Sequence, residues 1–168
     1  MTISLHQSSV PVFQRSLTNL KNILTKAAAH AVSKKIDEGV FLNSRLSPDM
    51  FPLTRQVQIT CDFAKGPCAR LAGIEVPKYE DDEKTFADLI ARVDKTMAYV
   101  GTFNPAQIDG QEDRDISITI AGNPVAFKGQ PYLIHFGLPN FYFHMSMAYA
   151  ILRHNGVEIG KGDFLGRA

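Results

Sequence analysis

Four stretches of the chain repeat apolar residues at steps of three and four, which is the spacing of one face of an α-helix. The first stretch is the most regular, and its apolar positions are Phe13, Leu17, Leu20, Leu24, Ala27 and Ala31. Ser9 is a suitable N-cap, and Pro11 in the first turn loses no helical hydrogen bond. The pattern predicts helices over about residues 11–32, 52–73, 82–100 and 130–155, the last of them interrupted at Pro139.

The second and third predicted helices have similar apolar faces. These faces are Leu53, Val57, Thr60 or Cys61, Ala64, Cys68 and Leu71 in the second helix, and Phe86, Leu89 or Ile90, Val93, Met97 and Val100 in the third. The extended loop of residues 73–81 between them can reach about 30 Å, the length of a 20-residue helix. The two helices therefore need not be antiparallel neighbours.

One segment between the third and fourth helices has the alternation of a β-strand. Residues 115–120 alternate polar and apolar side chains, residues 121–124 contain turn-forming Gly, Asn and Pro, and residues 125–128 repeat the alternation. The pattern predicts a short hairpin that caps one end of a helical bundle. We interpret it as a lid over the core rather than as a binding arm.

The fourth helix carries the candidate chemistry. Asn140, His144, Met147 and Ile151 follow one another at steps of four, three and four, so the sequence predicts that they share one stripe. An amide and an imidazole would then face the core, where polar groups need hydrogen-bond partners. We expect the pair to bond to each other or to the second helix. The helix should end at Gly156, in the left-handed position after a C-cap.

Composition narrows the class of protein. The 168 residues predict one domain, and 18 basic against 17 acidic residues leave a net charge of +1 without a basic stripe for nucleic acid. The N-terminus lacks the pattern of a signal peptide, and no apolar run is long enough to span a membrane. These features predict a cytoplasmic protein. Cys61 and Cys68, two helical turns apart, are too distant for a disulfide and should be reduced core residues.

Several phrases along the chain resemble an uncharacterised bacterial family of unknown function within the DinB/YfiT-like superfamily. The phrases are Asp49-Met-Phe-Pro-Leu53, Arg55-Gln-Val-Gln58, Ala64-Lys-Gly66, Leu138-Pro-Asn-Phe-Tyr-Phe-His144, Ala150-Ile-Leu-Arg-His-Asn-Gly156 and Gly162-Asp-Phe-Leu-Gly166. The resemblance spans nearly the whole chain, residues 1–168. It implies an all-α, up-down-down-up four-helix bundle with the small hairpin inserted between helices three and four.

The superfamily resemblance also implies a metal site made of one histidine on helix two and a His-x-x-x-His pair on helix four. His144 matches the second histidine of that pair, but Asn140 stands at the first position and helix two contains no histidine. Gln58 and Asp62 are the nearest polar residues for the missing ligand. One imidazole with amides and a carboxylate is a poor donor set for zinc or nickel. We therefore expect no metal, or a weakly bound divalent metal held by His144 and Asp62.

Three classes of function follow from these observations. The first is a degenerate, metal-poor bundle protein with a small polar pocket for a ligand, lined by Gln58, Asp62, Asn140, Tyr142 and His144. The second is a metal-dependent transferase or hydrolase, as the superfamily implies, so the sequence leaves open whether the protein is an enzyme. The third is a non-catalytic interaction protein that acts as a homodimer. Its interface would be the helix-four stripe Tyr142, Ser146, Tyr149 and Arg153.

Overall fold

The computed structural model describes residues 3–166, and four long helices dominate that range. In chain order the elements are α1 (Val10–Lys34), α2 (Glu38–Leu42), α3 (Leu53–Ala72), α4 (Phe86–Val100), α5 (Pro105–Ile108), β1 (Asp115–Ile120), β2 (Asn123–Lys128), α6 (Gly129–Tyr132), a π-helical turn (Leu133–Gly137), α7 (Leu138–His154) and α8 (Lys161–Leu165). No helix within residues 3–166 is both long and apolar enough to cross a membrane.

The apolar faces predicted for the first two long helices are confirmed, since all their members are buried in one continuous core. In the third, Ile90 and Met97 are only half-buried, and Thr96 is buried instead. The predicted start of this helix at residue 82 is wrong by four residues. Thr85 is the N-cap of α4 and forms a capping box with Asp88, which fixes the start at Phe86. The acidic residues before it stay outside the helix.

The direction of each long helix follows from its contacts. Gln14 near the start of α1 donates to the carbonyl of Met97 near the end of α4, so these helices are antiparallel. Gly137 just before α7 packs against Pro67 in the last third of α3, so these two are also antiparallel. Helices α3 and α4 are parallel, because residues 74–84 lead the chain back to the N-terminal end of α3 before α4 begins. The order is therefore up-down-down-up. The predicted bundle topology is confirmed.

Residues 74–84, here called the strap, connect the parallel helices α3 and α4. Beyond Gly73, which has a φ of 70°, the strap folds back along α3. Tyr79 lies over Lys65, and Asp81 reaches Arg55 in the first turn of α3. The strap thus returns the chain to the N-terminal end of α3, where α4 begins. The long crossover that the sequence allowed is present.

The inner stripe of α7 lies one residue beyond the predicted one. Phe141, Met145 and Ala148 are buried, whereas Asn140, His144 and Met147 are half-buried at the edge of the core. Phe141 is the anchor, because its fully buried ring meets the Phe13 ring edge-on at 4.9 Å. The expected interruption near Pro139 is present as the π-helical turn that ends at Gly137. The polar pair therefore flanks the core rather than facing it.

The predicted hairpin is confirmed, with Asp115 opposite Lys128 and Ile120 opposite Asn123. The predicted end of α7 is also correct, since Gly156 has a φ of 88° and the Val157 amide donates to the Leu152 carbonyl. The short helix α8 then packs on α1, where Asn19 donates to the Phe164 carbonyl.

The shifted stripe predicts a clear difference between two neighbouring phenylalanines. Phe141→Ala should lower the free energy of unfolding by about 3–5 kcal/mol, because it removes a fully buried ring. Phe143→Ala, whose ring is 52% exposed, should cost less than about 1 kcal/mol. Urea unfolding of both variants measures the difference. Equal costs, or a larger cost for Phe143, would show that the inner face of α7 is misassigned.

Candidate functional site

His144 is paired with Gln56 of α3. The Gln56 amide nitrogen donates to the Phe51 carbonyl at 3.1 Å, so the amide oxygen is turned toward His144, 2.8 Å from its Nδ1. Because an amide oxygen only accepts, Nδ1 carries the hydrogen and Nε2 keeps its lone pair. Within residues 3–166, Nε2 has no hydrogen-bond partner. Burial first, and then the charge of Arg55, lower the pKa of His144 below its ordinary value, so the ring is neutral at pH 7.

Asn140 does not bond to His144 or to α3. Its side-chain nitrogen donates to the Phe136 carbonyl at 2.7 Å, one turn back at the end of the π-helical turn. The position of the first superfamily histidine is thus held by an amide that satisfies a local backbone carbonyl. The expectation that the pair bonds to each other or to the second helix is met by His144 and not by Asn140.

Gln58 and Asp62 lie on a different side of α3 from Gln56. Two residues along a helix turn the side chain by about 200°, so Gln58 points away from α7. Gln58 donates to Glu83 of the strap at 2.8 Å, and Asp62 accepts from Lys65 at 2.7 Å. The structure therefore divides the predicted pocket, because the α3 side chains that reach His144 are Gln56, through a hydrogen bond, and Phe63, whose ring stacks on the imidazole at 6.1 Å. The fifth predicted residue, Tyr142, is exposed, with its ring edge-on to Phe141.

These residues do not fit the metal site that the superfamily implies. Only the Nε2 of His144 is a free nitrogen ligand, while Gln56 and the Asn140 nitrogen are engaged in hydrogen bonds. Asp62, the alternative ligand, is held by Lys65 and by Arg92. Among residues 3–166, no three His, Cys, Asp or Glu side chains come together in a way that could hold a metal ion. One imidazole with amides lacks the nitrogen and sulfur donors that zinc prefers.

A cavity of about 580 Å³ lies on the strap side of α3, and we call it the strap cavity. Its wall is formed by α3, the strap, β1 and the segment around the π-helical turn. The apolar and aromatic lining comes from Phe63, Val76, Pro77, Tyr79, Ile118, Tyr132 and Phe136, and the polar lining from Asp62, Lys65, Arg70, Lys78, Glu80, Asp81 and Thr119. The volume is typical of sites for small organic ligands, and half of the fourteen lining residues are apolar or aromatic.

Arg92 of α4 holds the strap in place over this cavity. Its guanidinium, 3% exposed, donates to the Glu83 carboxylate at 2.8 Å and to the Glu80 carbonyl at 2.9 Å. It also lies 2.9 Å from Asp81 and 3.3 Å from Asp62. Burial disfavours its charge, but the Glu83 bond and the carboxylates more than offset this, so the pKa of Arg92 is raised. This network, in which Arg92 and Glu83 are buried and Asp62 and Asp81 are 38% and 42% exposed, fixes the strap to both α3 and α4.

The cysteines are not candidates for nucleophilic catalysis. Cys61 and Cys68 are both buried and unpaired. Burial raises the pKa of Cys61 to about 11 and that of Cys68 to about 12, so the thiolate is scarce at pH 7. The sequence-based interpretation of both as reduced core residues is confirmed.

Together, the up-down-down-up helices and the inserted hairpin define a DinB-like helical protein. A DinB family member protein from Shewanella denitrificans is similar, with a TM-score of 0.88 and 43% identity, over 98% of this chain and 93% of that chain. The model of the family described as "Domain of unknown function (DUF1993)" matches residues 5–165. The chain therefore belongs to the DUF1993 family. A comparison with curated proteins finds no match.

Sequence reasoning missed most of the strap cavity. Lys65 and Arg92 are 5% and 4% exposed, although charged residues are rarely buried, and periodicity gave no sign of either. One signal was available: residues 80–83 are four consecutive acids, and such a run next to a helical bundle suggests basic partners. Tyr132 and Phe136 could not be assigned, because their placement depends on the π-helical turn.

The lowered pKa of His144 predicts a pH dependence of stability. The unfolded chain binds the proton more readily than the folded chain, so stability should fall as the pH drops below about 6.5 and level off once folded His144 is protonated. His144→Gln should remove this contribution. Urea unfolding of the wild type and of His144→Gln, at one pH above and one pH below this range, isolates the contribution of His144, because the two proteins share all other titrating groups. If the difference in the free energy of unfolding between the two proteins is the same at both pH values, the pKa of His144 is not lowered.

Proposed function

We propose that this protein binds a small organic molecule in the strap cavity and does so without a metal. The observation that carries the proposal is the contrast between two sides of α3. On one side, the position of the superfamily metal site holds a single imidazole whose neighbours are amides. On the other side, a cavity of about 580 Å³ combines aromatic walls with buried charged groups. The proposed ligand site thus retains Asp62 of the sequence-based pocket and leaves Gln58, Asn140, Tyr142 and His144 outside it.

The alternative of a metal-dependent enzyme is favoured by one observation. The Nε2 of His144 has a lone pair, and Gln56 holds the ring in a fixed orientation, as partners of metal-bound histidines do. One ligand of this kind supports weak binding of a divalent metal at most. The proposed function therefore assigns the Gln56–His144 pair a structural role between α3 and α7.

The alternative of a homodimeric interaction protein is favoured by exposed aromatic area. Tyr142 and Phe143 are 39% and 52% exposed. Tyr149, at the centre of the predicted interface, instead packs edge-on against Phe164 of its own chain at 5.7 Å. A dimer surface on α7 would therefore lie at the N-terminal half of the helix. Such a dimer is compatible with a ligand in the strap cavity.

Metal analysis tests the metal-free part of the proposal. Wild-type protein that is stripped with EDTA and then equilibrated with zinc should retain a substoichiometric amount. The double variant Gln56→His, Asn140→His should bind about one zinc, because it adds an i, i+4 histidine pair and a third imidazole beside His144. The matched control is Gln58→His, Asn140→His, whose new α3 imidazole points toward the strap. Stoichiometric zinc in the wild type, lost in His144→Asn, would contradict the proposal.

Blocking the cavity tests the ligand-binding part. Ile118 and Ile120 lie on one face of β1, and of the two only Ile118 lines the strap cavity. Ile118→Trp should fill part of the cavity and abolish the rise in melting temperature that a neutral aromatic ligand, naphthylacetamide, gives to EDTA-treated protein. Ile120→Trp should bind the amide like the wild type. Equal responses from all three proteins would place binding elsewhere.

A further inference from the structure

Arg70 is half-buried and lines the strap cavity without an acidic partner, whereas Lys78, the other lining cation without one among the described residues, is exposed. Its guanidinium donates to the hydroxyl of Tyr132 at 3.0 Å, and it forms no ion pair with any residue between 3 and 166. It folds back over Gly66, where a Cβ would lie only 2.6 Å from Nη1. The missing side chain of Gly66 thus leaves the space that Arg70 occupies.

The acidic side chains that line the cavity form their ion pairs with cations other than Arg70, or form none among the described residues. Asp62 accepts from Lys65 and lies next to Arg92, and Asp81 lies between Arg92 and Arg55. Lys78 and Glu80 are both exposed on the strap and carry opposite charges. Arg70 is therefore the half-buried cation of the lining that no described acidic side chain contacts.

Tyr132 supplies a second donor beside this charge. Its oxygen accepts the hydrogen of Arg70, so its own hydrogen is directed away from the guanidinium, and no acceptor for it is present among the described residues. Burial raises the pKa of Tyr132, against the effect of Arg70, and keeps the hydroxyl protonated. A guanidinium and a phenol hydroxyl side by side form a suitable set of donors for a carboxylate.

Aromatic rings cover the wall next to these donors. The Phe136 ring lies 5.6 Å from Phe63 and 5.9 Å from Tyr132, and all three residues line the cavity. Rings at such distances present flat apolar surfaces on which another ring can pack. Val76, Pro77 and Ile118 add aliphatic surface from the strap and from β1.

We propose that the ligand of the strap cavity is an aromatic monocarboxylate, with its carboxylate on Arg70 and Tyr132 and its ring against Phe63 and Phe136. This inference rests on the proposed function and names its ligand class. A monocarboxylate matches the one charge of Arg70, whereas a phosphate dianion would leave an excess negative charge in a partly buried site.

Calorimetry with a matched pair of probes tests the ligand class. Naphthylacetate and naphthylacetamide share a ring and differ in charge, and the chain contains no Trp to obscure naphthyl fluorescence as a second readout. The acid should bind wild-type protein at least about tenfold more tightly than the amide, the effect of one charge-assisted hydrogen bond.

Three variants assign the preference to Arg70. Arg70→Gln should bring the affinities of acid and amide to within about twofold, because it removes the charge and keeps a donor. Gly66→Ala should also reduce the preference, because the added methyl displaces the guanidinium while it favours the helix. The control Lys84→Gln removes an exposed cation of the strap that does not line the cavity and should leave the preference unchanged.

The outcomes separate this inference from the proposed function. If acid and amide bind equally and Arg70→Gln changes neither, ligand binding in the cavity stands and the carboxylate assignment is wrong. If the acid is preferred but Arg70→Gln and Gly66→Ala leave that preference intact, the assignment to Arg70 is wrong. If neither probe binds the wild type, both proposals fail.

Discussion

The buried guanidinium of Arg92 is the constraint on which the strap, the cavity and the helix order depend. It binds side chains of α3 and of the strap from a position on α4. A buried ion pair of this kind adds little net stability, but loss of one partner leaves uncompensated charges and costs several kcal/mol, roughly 3–5. The network therefore selects one path for the strap. With that path fixed, α4 is parallel to α3, and the strap forms one wall of the cavity.

The two sides of α3 show how one helix can hold two separate arrangements. Gln56 faces α7 and orients His144, while Asp62 and Lys65 face the strap. Their separation follows from the helical repeat, since neighbouring residues on a helix point about 100° apart. The two arrangements meet at Phe63, whose ring stacks on His144 at 6.1 Å and also lines the strap cavity. A substitution at the superfamily metal position can therefore shift the cavity wall through Phe63.

The local part of the structure could be predicted from the sequence, and the long-range part could not. Helix α1 has apolar residues on one side and polar residues on the other, so the sequence alone shows which side faces the core. Residues 140–143 are Asn followed by three aromatic residues, so apolar side chains point in several directions from the start of α7. The side of α7 that faces the core is therefore set by the Phe13–Phe141 contact. The cavity depends on the contacts of Arg92 with residues far apart in sequence, for which a periodic pattern contains no information.

The crossover between parallel helices has a consequence for how the chain reaches its folded state. Helix α1 packs mainly against α4, and α3 packs mainly against α7 and α4. The first two long helices to be synthesised, α1 and α3, therefore do not form a helical hairpin. Long loops must close before most of the core can assemble, which slows folding compared with helices that pack in sequential order. During synthesis, the ring of Phe13 has no Phe141 to contact until α7 has left the ribosome. The nascent chain therefore exposes an apolar face for most of its translation, and it is during this interval that the protein is most open to chaperones and to aggregation.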